Sequence, residues 1–309
     1  MKIGVIGDIH SNVSAFRAVL DYMKRERCDE FILLGDFVSD LTYTRETMDE
    51  VYKLIGEYPC TVLRGNREEY MLAEWNYVKK HGRNYWVANS CSGSLLYTYK
   101  QLNDEDMSFF DKLPISAVWK KDGYPQIACY HGAYDSTRHK LKCDDPKLSE
   151  VLADVEQDYI IAGHTHVQGM CTLPNGKVYV NSGSCGVPLG PVGKAHCVIM
   201  ESYDENGETK WRPELLAIPY DIRSTLMDVF DRDLFDYGRW FTSSNIHTLL
   251  EGKEGSMEMV IAAAELADKF GTEPWPHIPE AIYEDAAAIT GVPYYDKETV
   301  ICKLDELGL

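Results

Sequence analysis

The first third of the chain alternates short apolar runs with longer segments of helical periodicity. Apolar runs over residues 2–8, 30–36 and 60–66 predict buried strands, and the segments 11–26 and 45–57 between them predict helices. Alternation at this spacing is typical of a parallel sheet. The strands of such a sheet end at one common edge, where open α/β sheets bind their ligands.

The helical pattern over 11–26 begins at Ser11, a residue type that caps helices, and continues with apolar residues at helical spacing from Val13 to Met23. The segment 67–113 also has mainly helical character. Helices should therefore flank the predicted sheet.

The pattern changes to hairpins from residue 115. Two hairpins are predicted around the turn dipeptides Asp122-Gly123 and Asn175-Gly176, and a third over 195–218. Two sheets packed on each other and flanked by helices would follow. The predicted fold class is therefore α/β, a two-sheet β-sandwich flanked by α-helices.

From residue 219 the pattern is helical to the end, which predicts a main domain over 1–218 (with the helical segment 67–113 inside it) and a helical extension over 219–309. Breaks in this extension are expected near 252–256, 271–279 and 291–297. Its amphipathic helices are typical of core packing or of a contact between copies, so a homo-oligomer could form through them. A lid over a site is a further reading.

Composition narrows the class of protein. The 309 residues carry a formal net charge of −18, which argues against a long nucleic-acid partner but not against a small anionic substrate beside a metal. No apolar run is long enough for a bilayer, and "MKIGVIGDIH" lacks the core of a signal peptide, so no membrane association is expected. Nine cysteines, scattered without a close pair, favour reduced thiols and a cytoplasmic location.

Polar residues cluster where the predicted strands end. In an extended segment, residues two apart point to the same side, so Asp8 with His10, and His164 with His166, could each face one cavity. Carboxylate, imidazole and amide donors without thiolate suit Mn, Fe, Zn, Co or Ni. The full candidate metal-ligand set is Asp8, His10, Asp36, Asn66, His131, His164 and His166.

Each of these residues alone has a structural explanation. An Asp or Asn after a strand usually forms a turn or caps a helix, and a single buried His such as His131 is usually a hydrogen-bonded core residue. Seven such residues at five strand ends are harder to explain in that way, and together they indicate a metal centre.

The ordered motifs D-x-H, G-D, G-N, H-G and G-H-T-H over about residues 1–200 resemble the calcineurin-like metallophosphoesterase superfamily, and most of all its compact bacterial phosphodiesterase branch. The resemblance implies a sandwich fold with two divalent ions. It assigns Asp8, His10 and His166 to one ion, Asn66, His131 and His164 to the other, and Asp36 to a bridge between them.

That resemblance further implies a phosphoesterase in which metal-bound hydroxide attacks a small phosphodiester, phosphomonoester or nucleotide. The expected catalytic residues are Asp36, Asn66, Arg67 and His131.

Position 67 departs from the family pattern. Many members have a His after G-N that helps to protonate the leaving group, whereas this chain has Arg67, which is a poor acid but a good phosphate ligand. Alternatively, Arg67 begins a helix and pairs with Glu68, Glu69 or a distant carboxylate. Arg138 or His139 could also reach the substrate from a loop, although solvated loop residues are the simpler interpretation of both.

Other residues keep two interpretations. Asn12 could bind phosphate at the N-terminus of the first helix, or cap that helix, or do both. Cys185 in "NSGSCG" is interpreted as a packed thiol, because no basic partner is near it in sequence. The aromatic residues of 67–113 could stack on a substrate or pack in the core; they are Tyr70, Trp75, Tyr77, Tyr85 and Trp86.

Two competing functions stand beside the phosphoesterase. One is a non-catalytic metal-binding scaffold of the same fold, as in the retromer subunit of this superfamily. The other is a phosphoacceptor receiver domain with Asp8 and Asp36 as its acidic pocket. The complete set of seven ligands disfavours a pure scaffold, and the histidines and late hairpins disfavour the receiver domain.

Overall fold

The computed structural model describes residues 1–309 and contains ten strands and twelve helices. The strands are β1 (Lys2–Ile6), β2 (Glu30–Leu33), β3 (Cys60–Val62), β4 (Ser116–Trp119), β5 (Ile127–Tyr130), β6 (Tyr159–Ala162), β7 (Gln168–Thr172), β8 (Val178–Ser182), β9 (Lys194–Glu205) and β10 (Glu208–Pro219). The helices are α1 (Val13–Arg25), α2 (Thr44–Glu57), α3 (Asn66–His81), α4 (Gly93–Tyr99), α5 (Asp104–Lys112), α6 (Leu148–Val151), α7 (Ile222–Asp231), α8 (Leu234–Tyr237), α9 (Arg239–Glu251), α10 (Ser256–Phe270), α11 (Glu280–Thr290) and α12 (Lys297–Leu307).

The strands form two five-stranded sheets, in the orders β10-β9-β1-β2-β3 and β4-β5-β6-β8-β7. In the first sheet β1, β2 and β3 are parallel, and in the second β5, β6 and β8 are parallel. The three predicted hairpins are the antiparallel pairs β4-β5, β7-β8 and β9-β10. The predicted two-sheet sandwich flanked by helices is therefore confirmed.

Alternation along the strands builds two different cores. Ile3 and Val5 of β1 belong to a buried cluster that includes Ile161 of the other sheet, so they lie between the sheets. Ile6, of opposite parity, packs in a second cluster with Phe16 of α1. Because side chains alternate across a strand, one face of β1 meets the second sheet and the other meets the helices.

The strands that carry the candidate ligands are shorter than predicted. β2 ends at Leu33 rather than near residue 36, and β3 ends at Val62 rather than near 66. The residues that follow leave extended geometry; Gly35 has φ +91° and Asp36 has φ +52°. The sheet edge is therefore built from tight turns rather than from strand ends.

Ser11 is not the N-cap of α1, contrary to the prediction. Asn12 occupies that position, and its side-chain oxygen accepts a hydrogen bond of 3.1 Å from the backbone N–H of Ala15. The Ser11 backbone, at φ +57°, belongs to the preceding turn. The cap interpretation of Asn12 is confirmed.

The C-terminal extension consists of α7 to α12, and its helices end where the sequence predicted breaks. The residues after α9, α10 and α11 are Gly252, Gly271 and Gly291, each with a left-handed backbone that favours glycine. The division at residue 218 stays a prediction, although β10 ends close to it. No helix of the chain has the length and apolar character needed to cross a bilayer.

The extension packs on the loops at the sheet edge. Leu41, in the loop after β2, and Val187, in the loop after β8, share a buried cluster with residues of α7, α9 and α12. The side chain of Asn245 on α9 also lies 3.5 Å from the backbone carbonyl of Asp40. The extension therefore supports the loop after β2, which carries Asp36, and the loop after β8.

Candidate metal centre

The loops at the sheet edge concentrate unusual backbone conformations. Eleven residues other than glycine have positive φ, and eight of these lie in the ligand loops: Asp8, His10, Ser11, Asp36, Ser39, Asp40, His164 and His166. Such conformations cost energy in L-residues and tend to mark functional sites. The loops are held in place by backbone hydrogen bonds of 3.0 Å from Asp8 to Gly35 and from His10 to Asp36.

Close packing of backbone permits this geometry. A side chain at Gly65 would collide with the carboxylate of Asp36, and one at Gly163 would meet Oδ2 of Asp8 at 2.5 Å. Glycine at these two positions therefore lets the loops after β3 and β6 approach the acidic residues.

Asp8, His10 and His166 form the first donor group, hereafter group one. Their ligand atoms lie within 4.8 Å of one another. Nε2 of His10 lies 3.0 Å from Nε2 of His166, and Oδ1 of Asp8 lies 3.4 Å from that same atom of His166. Two imidazole nitrogens and a carboxylate oxygen thus converge on one point.

Asp36, His131 and His164 form the second donor group, hereafter group two, again with ligand atoms within 4.8 Å of one another. Oδ1 of Asn66, on the first residue of α3, lies 3.1 Å from Nε2 of His131. The amide oxygen therefore joins this group as a neutral donor.

Asp36 lies between the two groups. Its Oδ2 is 3.5 Å from Nε2 of His131 and 3.8 Å from Nε2 of His10. Its Oδ1 accepts a hydrogen bond of 2.7 Å from the backbone N–H of Arg67. One carboxylate oxygen thus faces both groups while the other is held by the start of α3.

The prediction that the two histidines of the G-H-T-H motif share a cavity is wrong. His164 and His166 do not face one cavity, because one belongs to each group. The alternation rule holds for extended chain and does not apply here, because both residues have left-handed backbones, with φ +64° and +59°. The grouping coincides instead with the assignment that the family resemblance implied.

Outer polar contacts orient three of the four histidines. Nδ1 of His131 lies 2.9 Å from the carbonyl oxygen of Leu34, and Nε2 of His164 lies 3.2 Å from that of Arg138. A carbonyl only accepts, so these nitrogens donate and leave the other ring nitrogen unprotonated for a ligand. Nδ1 of His10 lies 3.0 Å from Oδ2 of Asp40.

The donor chemistry fits divalent metal ions. The groups combine carboxylate, imidazole and amide donors without thiolate, and three of their four histidines have outer partners of the kind that metal-ligating histidines use.

Charge is distributed unequally in the metal-free centre. Burial opposes ionisation of Asp8, but His10 and His166 hold the pKa of its carboxyl well below the ordinary value. Burial likewise opposes charge on His10, but Asp40, Asp8 and Asp36 raise its pKa to about 10. Burial, aided by the neighbouring His131, lowers the pKa of His164 to about 4.

Arg67 contacts a distant carboxylate. Its Nη2 lies 2.8 Å from Oδ2 of Asp40, and the buried Nε has no protein partner. This is the ion pair that the alternative interpretation of Arg67 expected, while phosphate binding stays a prediction. The same guanidinium lies 5.9 Å from the ring centre of Tyr70.

Asn12 is also engaged within the protein. Besides capping α1, it donates a hydrogen bond of 2.9 Å from Nδ2 to the carbonyl of Gly186. Its side chain is almost fully buried. Its predicted role in phosphate binding is untested and would have to compete with these contacts.

The remaining candidates are spread over the molecule. Arg138 pairs with Glu69 at 2.9 Å and lies over Tyr70, whereas His139 is exposed. Trp86 is a core residue, and Tyr85 packs with Tyr77 and His277. Of the five aromatic residues of 67–113, Tyr70 is therefore the one that lies beside Arg67.

Cys185 is fully buried, which raises the pKa of its thiol and agrees with the interpretation as a packed thiol.

Sequence reasoning missed two buried carboxylates. Glu68 accepts backbone hydrogen bonds of 2.7 to 2.8 Å from Gly65, Asp36 and Phe37, so it ties the loops after β2 and β3 together. An acid at the third position of a helix is a capping signal that could have identified it. Nothing in the local sequence distinguishes Asp40.

The sequence of the chain is similar to known proteins. The calcineurin-like phosphoesterase superfamily domain matches residues 1–205. An uncharacterised protein, MJ0912, of Methanocaldococcus jannaschii is 26% identical over 247 residues, which cover 72% of this chain and 88% of that protein.

Two solved structures share the fold. The hypothetical protein PH1004 of Pyrococcus horikoshii superposes with a TM-score of 0.66 at 19% identity, covering 82% of this chain and 99% of that one. A metallophosphoesterase of Sphaerobacter thermophilus superposes with a TM-score of 0.55 at 19% identity, covering 75% and 94%. At this identity the two structures support the fold and not a particular substrate.

Proposed function

The chain belongs to the calcineurin-like phosphoesterase superfamily, and from that premise we propose that it is an enzyme that uses two divalent metal ions to hydrolyse a small phosphodiester, phosphomonoester or nucleotide. The observation that carries this proposal is the pair of donor groups that share Asp36. A carboxylate within 4 Å of a histidine from each group is what a bridging ligand requires.

Group one would hold one ion through Asp8, His10 and His166, and group two the other through Asn66, His131 and His164. Divalent ions supply Lewis acidity, which neutralises phosphoryl oxygens and lowers the pKa of water into the range where it is a nucleophile. With Asp8 and Asp36 as the charged ligands, two such ions leave a net charge of about +2 to attract phosphate. Asp40 does not reduce this surplus, since Arg67 balances it.

The side chains have separate tasks in this proposal. Asp36 fixes the relation between the groups, and Asn66 contributes an oxygen without adding negative charge. Arg67 uses one guanidinium nitrogen on Asp40, and its unpaired donors could bind a phosphoryl oxygen and stabilise charge in the transition state. Because guanidinium keeps its proton, a substrate whose leaving group needs little protonation fits this site best.

The test is a metal-dependent assay. Purified protein is stripped with a chelator, reloaded separately with Mn²⁺, Fe²⁺, Zn²⁺, Ni²⁺ or Co²⁺, and offered phosphate monoesters, phosphate diesters, cyclic nucleotides and nucleotides. We expect turnover only with metal, and a loss of kcat/KM of at least about 10³-fold in Asp36→Asn, equivalent to about 4 kcal/mol.

Asp106→Asn is the matched control, because Asp106 is a buried carboxylate paired with Arg45 and Tyr52 away from the donor groups. It should keep metal-dependent turnover when folded. Unchanged activity in Asp36→Asn would contradict the mechanism. Tight metal binding without turnover on any substrate would favour the non-catalytic scaffold instead.

We further propose a small substrate, a homo-oligomer and a cytoplasmic location. A small substrate rather than a long nucleic acid follows from the net charge of −18. Light scattering would test a homo-oligomer formed through the C-terminal helices, and fractionation of cells would test the cytoplasmic location.

A further inference from the structure

Asp40 connects a donor group to Arg67. This carboxylate is 3% exposed, and its Oδ2 lies 3.0 Å from Nδ1 of His10 and 2.8 Å from Nη2 of Arg67. Its Oδ1 accepts a hydrogen bond of 2.8 Å from Oγ of Ser39. One buried oxygen atom therefore serves a member of group one and a cation at the same time.

We infer that Asp40 is a positioning residue for the metal held by group one, and that Arg67 acts on that metal through Asp40. The inference rests on the proposed function, because it assumes that group one binds a divalent ion. It adds two residues that act on the ion without touching it.

The orientation of His10 supports the first part. Its Nδ1 faces Asp40, while its Nε2 faces His166 and Asp8. A proton retained on Nδ1 by the carboxylate leaves Nε2 with a free electron pair directed at the ion. A carboxylate behind the ring also makes that nitrogen a stronger donor and fixes the plane of the ring.

The surroundings of Asp40 support the second part. A carboxylate this deeply buried keeps its charge only beside positive or hydrogen-bonding groups. Arg67 and His10 hold the pKa of Asp40 well below its ordinary value in spite of burial. Arg67 is the permanent charge of the two, so its loss would leave Asp40 buried near Asp8 and Asp36 and less able to hold His10 in place.

The position of Asp40 does not depend on its side chain alone. The neighbouring Leu41 packs among helices of the extension, and Asn245 on α9 lies against the backbone carbonyl of Asp40. Replacing the carboxylate by an amide of the same size should therefore leave the loop in place, so Asp40→Asn is a usable variant.

The experiment measures Mn²⁺ binding to chelator-stripped protein, by the paramagnetic resonance signal of free Mn²⁺. Wild type, Asp40→Asn, Arg67→Met and the double variant are titrated at one pH, with Asp106→Asn as the control for loss of a buried, Arg-paired carboxylate. We expect Asp40→Asn to weaken one of two binding events by about 10- to 100-fold and to leave the other.

Arg67→Met should weaken that same event by up to about tenfold, and the double variant should bind no more than about twofold weaker than Asp40→Asn, because both changes act through one contact. Asp106→Asn should bind Mn²⁺ like wild type.

The other outcomes separate the claims. Unchanged Mn²⁺ affinity in Asp40→Asn overturns the inference and leaves the proposed function intact. Unchanged affinity in Arg67→Met, or additive losses in the double variant, overturns the link through Arg67 and confines that residue to phosphate. A wild-type protein that binds no Mn²⁺ overturns the proposed function and, with it, the inference.

Discussion

The two donor groups differ in what lies behind their histidines. In group one, His10 is backed by the ionised carboxylate of Asp40. In group two, His131 and His164 are backed by the backbone carbonyls of Leu34 and Arg138. A carboxylate adds charge and can be removed by a single substitution, whereas a carbonyl adds none and can only be displaced by moving the chain.

This difference has a chemical consequence. In the metal-free protein His10 is held as a cation, with its pKa raised to about 10, while His164 is held neutral, with its pKa lowered to about 4. Binding of an ion at group one would therefore require His10 to lose a proton, whereas His164 in group two has no such proton to lose. The two positions should therefore differ in affinity even though both offer histidine and carboxylate.

Removing the support of group two should have the largest effect on stability. Glu68→Gln replaces an acceptor of three buried backbone hydrogen bonds with an amide that must turn a donor toward at least one of them. We expect the free energy of unfolding to fall by about 3 kcal/mol, measured by urea denaturation. Burial and Asp36 raise the pKa of Glu68 to about 7, so the measurement belongs above about pH 8, where the group is ionised.

Glu74→Gln is the matched control on the same helix, since Glu74 is equally buried and accepts from Asn84 and Tyr85 away from the centre. Glu74→Gln should destabilise the fold without altering metal affinity. Glu68→Gln should weaken the binding of an ion at group two more than the binding of an ion at group one. Equal metal affinities in the two variants would mean that Glu68 supports the fold alone.

The pH dependence of stability should separate the groups in the metal-free protein. The folded pKa of His164 lies below the unfolded value of 6.5, so its stabilising effect is present above pH 6.5 and is lost as pH falls towards 4. The folded pKa of His10 lies above 6.5, so its effect is present below 6.5 and is lost as pH rises towards 10. The full change for His164 is about 3 kcal/mol.

The measurement is urea unfolding in a chelator across this pH range. As pH falls, the free energy of unfolding of His164→Asn should rise relative to that of wild type. As pH rises, the stability that His10→Asn lacks relative to wild type should shrink. If the free energy of unfolding of the two variants depended on pH in the same way, the proposed difference in charge between His10 and His164 would be wrong.

The smallest effect should come from the loop that carries the carbonyl of Arg138. Oγ1 of Thr137 donates a hydrogen bond of 2.9 Å to Glu69 on α3 and so fixes this loop. Thr137→Val should lower the free energy of unfolding by about 1 kcal/mol. It should also lower the affinity of group two for its ion by about fivefold or less. Mn²⁺ titration would check it, and an effect as large as that of Asp40→Asn would show that a carbonyl backing matters as much as a charged one.

Much of the fold, and the meeting of the seven candidate ligands at one edge of the sheets, could be predicted from the sequence, while their binding of metal stays a prediction. Apolar periodicity indicated the strands and hairpins, and polar residues after each strand predicted where side chains would meet, because parallel strands end at one edge. Those signals are local in the chain and need only the topology of the sheet to connect them.

The sequence could not predict contacts that depend on turn geometry. The pairing of Asp40 with both His10 and Arg67 joins three loops across left-handed residues, and no spacing rule covers such backbone. Left-handed residues also occur at His164 and His166, which face different groups, and directly after β2, which ends earlier than its apolar run. For the same reason the distant carboxylate that could pair with Arg67 was not identified from the sequence, since Asp40 is 27 residues away.

The eight left-handed residues also affect the local stability of the protein when no metal is bound. At about 1 kcal/mol each, their combined cost is comparable to the net stability of a whole domain. Without ions, hydrogen bonds between loops and packing against the C-terminal extension must offset that cost, so this end of the sandwich should open locally more often than the sheets do. Amide hydrogens of these loops should then exchange quickly in a chelator and slowly with metal, and the same loops would be where a protease first cuts a chain that has been starved of metal.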